Sequence, residues 1–270
     1  MTTNTKEVII GAYDLHVHSG PDVIQRKLDD HEMAERLQAA GMKGYALKSH
    51  VSSTAGRAKL INKLYPQVNA IGAISLNNAV GGLNPMAVEM AARDGAKIVW
   101  MPTIDATNEI EHLAHSKPEK MPFFAKLYQE LLAKGKAAPS ISILEGSQLK
   151  KVVYDILDII VEHDLVLATG HLGKEEIFVL TKEAFQVGVK KVIITHPNFP
   201  STDLNKDEQK ELSDMGGIIE HCFTTPYTNK ITWERMYDEI RHLGPEHSNC
   251  KAGRTARGDR SCKTQNAKGR

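Results

Sequence analysis

A chain of 270 residues, 41% hydrophobic and 25% charged with a net charge of +1, has ordinary globular composition, which excludes a disordered polyelectrolyte. No apolar run reaches the roughly 18 residues of a membrane span, and the apolar stretch in the N-terminal MTTNTKEVII is too short for a signal peptide. Cys222, Cys250 and Cys262 lack the spacing of a disulfide framework or zinc knuckle, so a cytoplasmic chain is expected.

The first strand is predicted over 11–18, within AYDLHVHSGPD. Alternation puts Asp14, His16 and His18 on one face, with Leu15 and Val17 on the other. Two histidines two apart on a strand project side by side, as adjacent metal ligands must. Asp22, in SGPD, either lines the mouth of a site or makes a turn. AAGMKGYALKSH (39–50) then introduces a pattern that recurs: a helix ends at Gly, and a short apolar run opens. The second strand, 44–50, ends in LKSH with Lys48 and His50 on the same face. One of the two contacts substrate or a second metal, or else Lys48 pairs with Asp14 or Glu220, since a lysine inside a barrel needs a partner. The third strand is predicted over 70–76. Asn77 follows it, placed either to hydrogen-bond substrate or to cap the next turn.

NPMAVEMAARDG (84–95) reads as a helix capped by Asn84 with Pro85 in its first position. RDGAKIVWMPT carries the fourth strand, over 97–103. PSISILEGSQLKKV (139–152) reads as a hairpin insertion. ATGHL ends a strand over 165–171 with His171, and KEEIFVLTKEAFQVG (174–188) is the helix after it. IITHP ends the strand at 191–197 with His196. DMGGIIEHCF supplies a strand over 217–223, where Glu220 and Cys222 alternate with His221 and only one face looks into a pocket. Cys222 reads as a small buried residue, not a nucleophile.

Strands alternating with helices predict a parallel sheet, and seven strands with one more expected predict an α/β fold, a TIM-like (β/α)8 barrel, as one domain over 1–247. A doubly wound open sheet is the alternative, without support from a GxGxxG or P-loop motif. Active sites of such barrels lie at the C-terminal strand ends. There the sequence puts His16, His18, His171 and His196, whose imidazoles suit zinc, iron, nickel or copper and leave room for a bound water. Each histidine alone is weak evidence; the set of four predicts a metal site. Of the twelve histidines, His31, His112, His115, His163 and His242 fall in polar helices or loops and are expected to be solvated.

On these residues the chain resembles the amidohydrolase superfamily over about 10–247, and within it a group with a DLHVHSGPD start. The resemblance implies HxH on strand one, His on strands five and six, and Asp on strand eight around one or two divalent ions. His16, His18, His171 and His196 match. Strand four, IVWMPT, offers neither the Lys nor the Glu that bridges two ions in many members, so the resemblance implies one site. The ion expected is zinc, with iron, manganese or nickel as alternatives. The activity implied is hydrolysis of a small-molecule amide, ester or lactone bond by a metal-activated water, with Lys48 and His50 as catalytic candidates. A barrel phosphoesterase of the polymerase-and-histidinol-phosphatase type, a decarboxylase, and a metal-binding but catalytically impaired truncated protein are the alternatives.

The rhythm predicts an eighth strand after RHLGPEH (241–247). Instead, residues 248–270 hold seven Lys/Arg, one Asp and no Val, Ile, Leu, Met or aromatic side chain. That segment is expected to be a disordered, protease-sensitive basic tail, as a frameshift or truncation would produce, with a natural basic tail for an acidic partner as the alternative. Asp259, its one acid, sits in ARGDRS and is not expected to replace the strand-eight aspartate. The rest of the chain carries 27 basic and 32 acidic side chains, which argues against nucleic acid as a partner. Without an eighth strand, strands one and seven present open edges, which predicts lower stability, weak activity and self-association into a homo-oligomer.

Overall fold

A computed structural model describes residues 9–115 and 121–244. In chain order the strands are β1 (Tyr13–Val17), β2 (Gly44–Leu47), β3 (Asn69–Ser75), β4 (Ala96–Trp100), β5 (Leu144–Glu145), β6 (Gln148–Leu149), β7 (Val166–Ala168), β8 (Val192–Thr195) and β9 (Ile218–Glu220). The helices are α1 (Asp30–Ala39), α2 (Ala55–Leu64), α3 (Pro85–Arg93), α4 (Thr107–Ala114), α5 (Phe123–Ala133), α6 (Lys151–Glu162), α7 (Lys174–Gln186), α8 (Lys206–Asp214), α9 (Thr224–Tyr227) and α10 (Trp233–Leu243). Seven strands form one parallel sheet in the order β1-β2-β3-β4-β7-β8-β9, and β5 with β6 makes a separate antiparallel hairpin. The sheet is curled and flanked by helices: this is an α/β, TIM-like barrel in which, among the described residues, no strand joins β9 to β1. The position of the expected eighth strand, Asp259 and the basic tail lie outside the described residues. Among the described residues no helix is long and apolar enough to cross a membrane.

The predicted rhythm is how the chain turns. Gly41, Gly95, Gly188 and Gly216, which follow α1, α3, α7 and α8, all have positive φ, the conformation that ends a helix and lets the next strand start. Asn84 accepts a hydrogen bond from the Ala87 N–H at the start of α3, with Pro85 in the first position. In α6, Val153, Ile156, Leu157 and Ile160 follow helical spacing and are fully buried; burying each contributes roughly 1.5–3 kcal/mol. They join Val99, Leu167 and Ile194 on the outer face of the sheet.

The inner face is built differently. Ala46, Ala73 and Ala168 alternate with outward-facing residues and pack with Ile98, Ile193 and the fully buried Trp100. Three alanines leave room for one indole and for the lysine above it. Leu15, Ile71, Val166 and Ile218 pack against the same cluster. These positions fix which residue numbers on each strand look inward.

Candidate functional site

Along β2 the inner face is Ala46, so two-residue alternation carries Lys48 and His50 inward as well. Along β9 it is Ile218, which carries Glu220 and Cys222 inward and sends His221 out. His221 accordingly meets Gln209 Oε1 at 3.0 Å and Glu239 Oε2 at 3.5 Å, in the helical layer.

The other three strands depart from alternation, and β1 corrects the expectation drawn from it. Leu15 packs on the inner face and Val17 on the helix side with Ala34 and Leu47. The register of β1 against β2 slips between Asp14 and Val17. This irregularity brings both Leu15 and His16 inward and leaves Asp14 exposed, so Asp14 does not share the inner face with His16. On β7, Val166 and Ala168 face in, which would turn His171 out; Gly170 with φ +65° intervenes. A Cβ on Gly170 would lie 2.5 Å from the carbonyl oxygens of both Met101 and Pro102. That close approach lets the His171 N–H donate to Pro102 O at 2.9 Å. On β8, Ile193 faces in, and His196 reaches the interior through a φ of +26°. A non-glycine residue in the left-handed region at a strand end is the kind of local strain that clusters at functional sites.

The result is a group of rings at one end of the barrel. Ring centroids lie 5.4 Å apart for His16 and His18, 5.6 Å for His16 and His196, and 4.8 Å for His171 and His196. His50 stacks on His18 at 4.7 Å. All five histidines, with Glu220 and Cys222, line a cavity of about 720 Å³ that continues along β1 past Asp14 to Ala12 and Ile9. Phe199 packs on His196 at 4.8 Å and carries the Lys230 ammonium 3.6 Å above its own ring.

Lys48 is 1% exposed. Its ammonium meets His16 Nε2 at 3.0 Å and sits 4.9 Å above the Trp100 ring, so its direct partners are these two rings and not the Asp14 or Glu220 carboxylates. On its other side His16 Nδ1 meets Glu220 Oε2 at 2.9 Å and Cys222 Sγ at 3.6 Å. Burial pushes the Lys48 ammonium down to about 8, opposed by the Glu220 charge. Burial pushes the Glu220 carboxyl up to about 7, opposed by Lys48. Burial, then Lys48 and the neighbouring histidines, holds His16, His18, His50 and His196 well below the usual imidazole range, which favours the neutral form of these rings. Two of them, and the neighbouring His171, have an unsatisfied ring nitrogen: among the described residues, Nδ1 of His18, His171 and His196 is buried without a hydrogen-bond partner. Neutral, buried, incompletely satisfied imidazoles fit a divalent cation.

A family described as "Family of unknown function (DUF6282)" matches residues 11–220. The chain belongs to this family. No curated protein matches it. Among solved structures, an amidohydrolase from Pseudomonas aeruginosa is similar with a TM-score of 0.56 at 12% identity, over 90% of this chain and 74% of that one. The probable dipeptidase PvdM from Pseudomonas aeruginosa gives 0.49 at 8% identity, over 80% of this chain and 60% of that one. The first of these likenesses shows the fold.

The site therefore unites His16, His18, Lys48, His50, His171 and His196, all of which the sequence singled out. Asn77 does neither thing expected of it. It is fully buried and spends its amide on His50 O, Thr103 Oγ1 and the Thr103 N–H. Asp22 pairs with Arg26 at 2.6 Å and so holds the loop after β1. Glu109, buried on α4 with Oε2 at 3.4 Å from His171 Nδ1, was not anticipated. Burial opposes its charge, but His171 beside it holds its carboxyl well below the usual range. TNEIEHLA shows only a polar first turn, and nothing local says that Glu109 will meet a histidine 62 residues further on.

Proposed function

We propose that this protein is a metal-dependent hydrolase of small-molecule amide, ester or lactone bonds, with His16, His18, His171 and His196 as ligands to one divalent ion, zinc foremost. The observation that carries the reading is the convergence of these four histidines from three strand ends on one cavity, each placed there by a break in strand alternation. The amidohydrolase likeness of the fold supports it. A bound ion would supply Lewis acidity and lower the pKa of a water held beside it. The protein's own groups do the rest. Glu109 orients His171 from behind, as carboxylates behind ligand histidines do, and Glu220 does the same for His16. Lys48 holds the inner nitrogen of His16, so ligation through that nitrogen requires the ammonium to give way. Glu220, buried with a carboxyl near neutrality, is placed to take and return a proton at the cavity wall.

The test is metal content by mass spectrometry after chelator-free purification, followed by a panel of ester, amide and phosphate substrates. About one ion per chain is expected, lost in His16→Ala with His196→Ala together, and with it the stabilisation that a native-state ligand gives. Full occupancy in the double variant would falsify the four-histidine site. Turnover of the phosphates alone would move the assignment to the phosphoesterase reading.

A further inference from the structure

We infer that His50 is a neutral hydrogen-bond donor to the substrate's carbonyl oxygen and not a metal ligand, because a chain of hydrogen bonds behind it fixes its proton on Nε2. The inference rests on reading the cavity as a hydrolase site.

The chain starts at Asn77. Its Oδ1 accepts from the backbone N–H groups of Thr103 at 2.8 Å and Asp105 at 3.3 Å. Those two donors settle which end of the amide is oxygen. Nδ2 must then be the atom that donates to His50 O at 2.8 Å and to Thr103 Oγ1 at 2.7 Å. A hydroxyl that accepts from Asn77 still has one proton to give. Among the described residues, the other group in hydrogen-bond contact with Thr103 Oγ1 is His50 Nδ1, at 2.8 Å. A buried hydroxyl proton left without an acceptor is costly, and Nδ1 is the acceptor within reach, so Thr103 donates and Nδ1 accepts with its lone pair. A neutral imidazole with a lone pair on Nδ1 carries its proton on Nε2. Asn77 and Thr103 are fully buried, so water does not compete for these bonds. Among the described residues Nε2 has no hydrogen-bond partner, and the ring lines the cavity between His18 and His171.

His16 is wired the opposite way. Its Nδ1 meets Glu220 Oε2 at 2.9 Å, and its Nε2 meets the Lys48 ammonium at 3.0 Å. An ammonium can only donate, so the lone pair sits on Nε2 and the proton on Nδ1, which is the tautomer that binds a cation. A hydroxyl behind His50 gives the tautomer that cannot. The same ring type thus serves two roles, set by what stands behind it. A neutral N–H on the cavity wall suits an acyl oxygen that gains negative charge as water adds to its carbon. Asn77 and Thr103 are its positioning residues.

The experiment is a long-range proton–nitrogen correlation spectrum of the full chain carrying ¹⁵N-histidine, with His50 assigned from His50→Gln, before and after zinc. His50 should show a protonated Nε2 and a bare Nδ1 in both spectra, while the four ligand histidines shift. Thr103→Val should release the preference, giving a mixture of tautomers. A proton on Nδ1, a His50 Nε2 that shifts as a zinc ligand, or a tautomer unmoved by Thr103→Val overturns the inference. Zinc that leaves every histidine unshifted rejects the metal reading while the His50 tautomer is still decided. Turnover of 4-nitrophenyl acetate by the zinc-loaded chain is the second readout. His50→Ala should lower kcat about 100-fold with KM changed far less, and an unchanged kcat overturns the role.

Discussion

The ends of β2 and β9 differ from the ends of β1, β7 and β8 in how they deliver side chains to the same cavity. On β2 and β9 the inward residues keep strict two-residue phase: Ala46, Lys48 and His50 on one, Ile218, Glu220 and Cys222 on the other. On β1, β7 and β8 the inward histidines are one residue out of phase with Leu15, Ala168 and Ile193. A register slip, a left-handed glycine and a left-handed histidine make up the difference. In-phase residues come with the strand and need no strain. Out-of-phase residues need a backbone irregularity, but they gain something: the strand fills the core up to its last residue and then turns the next one into the site. The four proposed ligands are all of the second kind, and the proposed donor and proton-handling groups are all of the first.

The sharpest way to break this comparison is at Gly170. Gly170→Ala combines a left-handed conformation with a Cβ 2.5 Å from two carbonyl oxygens. Left-handed strain and overpacking together cost about 3 kcal/mol. Urea unfolding should show that loss, and the surviving folded chain should bind zinc poorly because His171 has moved. An unchanged midpoint with intact zinc binding means that the turn at Gly170 does not set His171.

How much was legible follows from the same division. The seven parallel strands stood out because strands buried on both faces read as apolar runs, and the glycines after the helices marked where each run begins. The strand-end histidines were legible as a set because position along the chain, not facing, was enough to find them. Facing was legible only where phase is kept. Alternation gave Lys48 and His50 correctly and misplaced Asp14 and Leu15, since a register slip leaves no residue signature in YDLHV. Glu109, Thr103 and the true partners of Asn77 were not legible, because each acts across the barrel on a residue from another strand end.

Glu109 sharpens the comparison with a smaller effect. It braces an out-of-phase histidine from behind, at 3.4 Å from His171 Nδ1. Glu109→Gln keeps the shape and removes the charge. Zinc affinity should fall about 10- to 100-fold, the usual cost of losing a carboxylate behind a ligand histidine. Competition with a chromophoric chelator measures it. Affinity equal to that of the parent chain makes Glu109 a structural residue of α4 only.

Lys48 should give the smallest effect, and one of opposite sign. It is the in-phase residue that is most expensive to bury, with two rings and no carboxylate as direct partners. Lys48→Met keeps an unbranched side chain in the space above Trp100 and removes the charge. In the presence of chelator at neutral pH, the variant should be more stable by about 1–2 kcal/mol, in the range found when buried charges are replaced by apolar groups. The pH dependence gives the same answer independently. The folded-state pKa of Lys48 is held at about 8, below its ordinary 10.5. Between those values the unfolded chain keeps a proton that the folded chain has released, so stability of the parent rises with pH across that window. The cost of the buried ammonium is fully present below the window and is relieved above it. Lys48→Met has no such slope, so its advantage should shrink as pH climbs from 8 toward 10.5. Urea midpoints for both chains over that range decide the matter. A variant that is less stable at neutral pH would show that the contacts with His16 and Trp100 outweigh the burial, and that Lys48 is kept for the fold and not for the site.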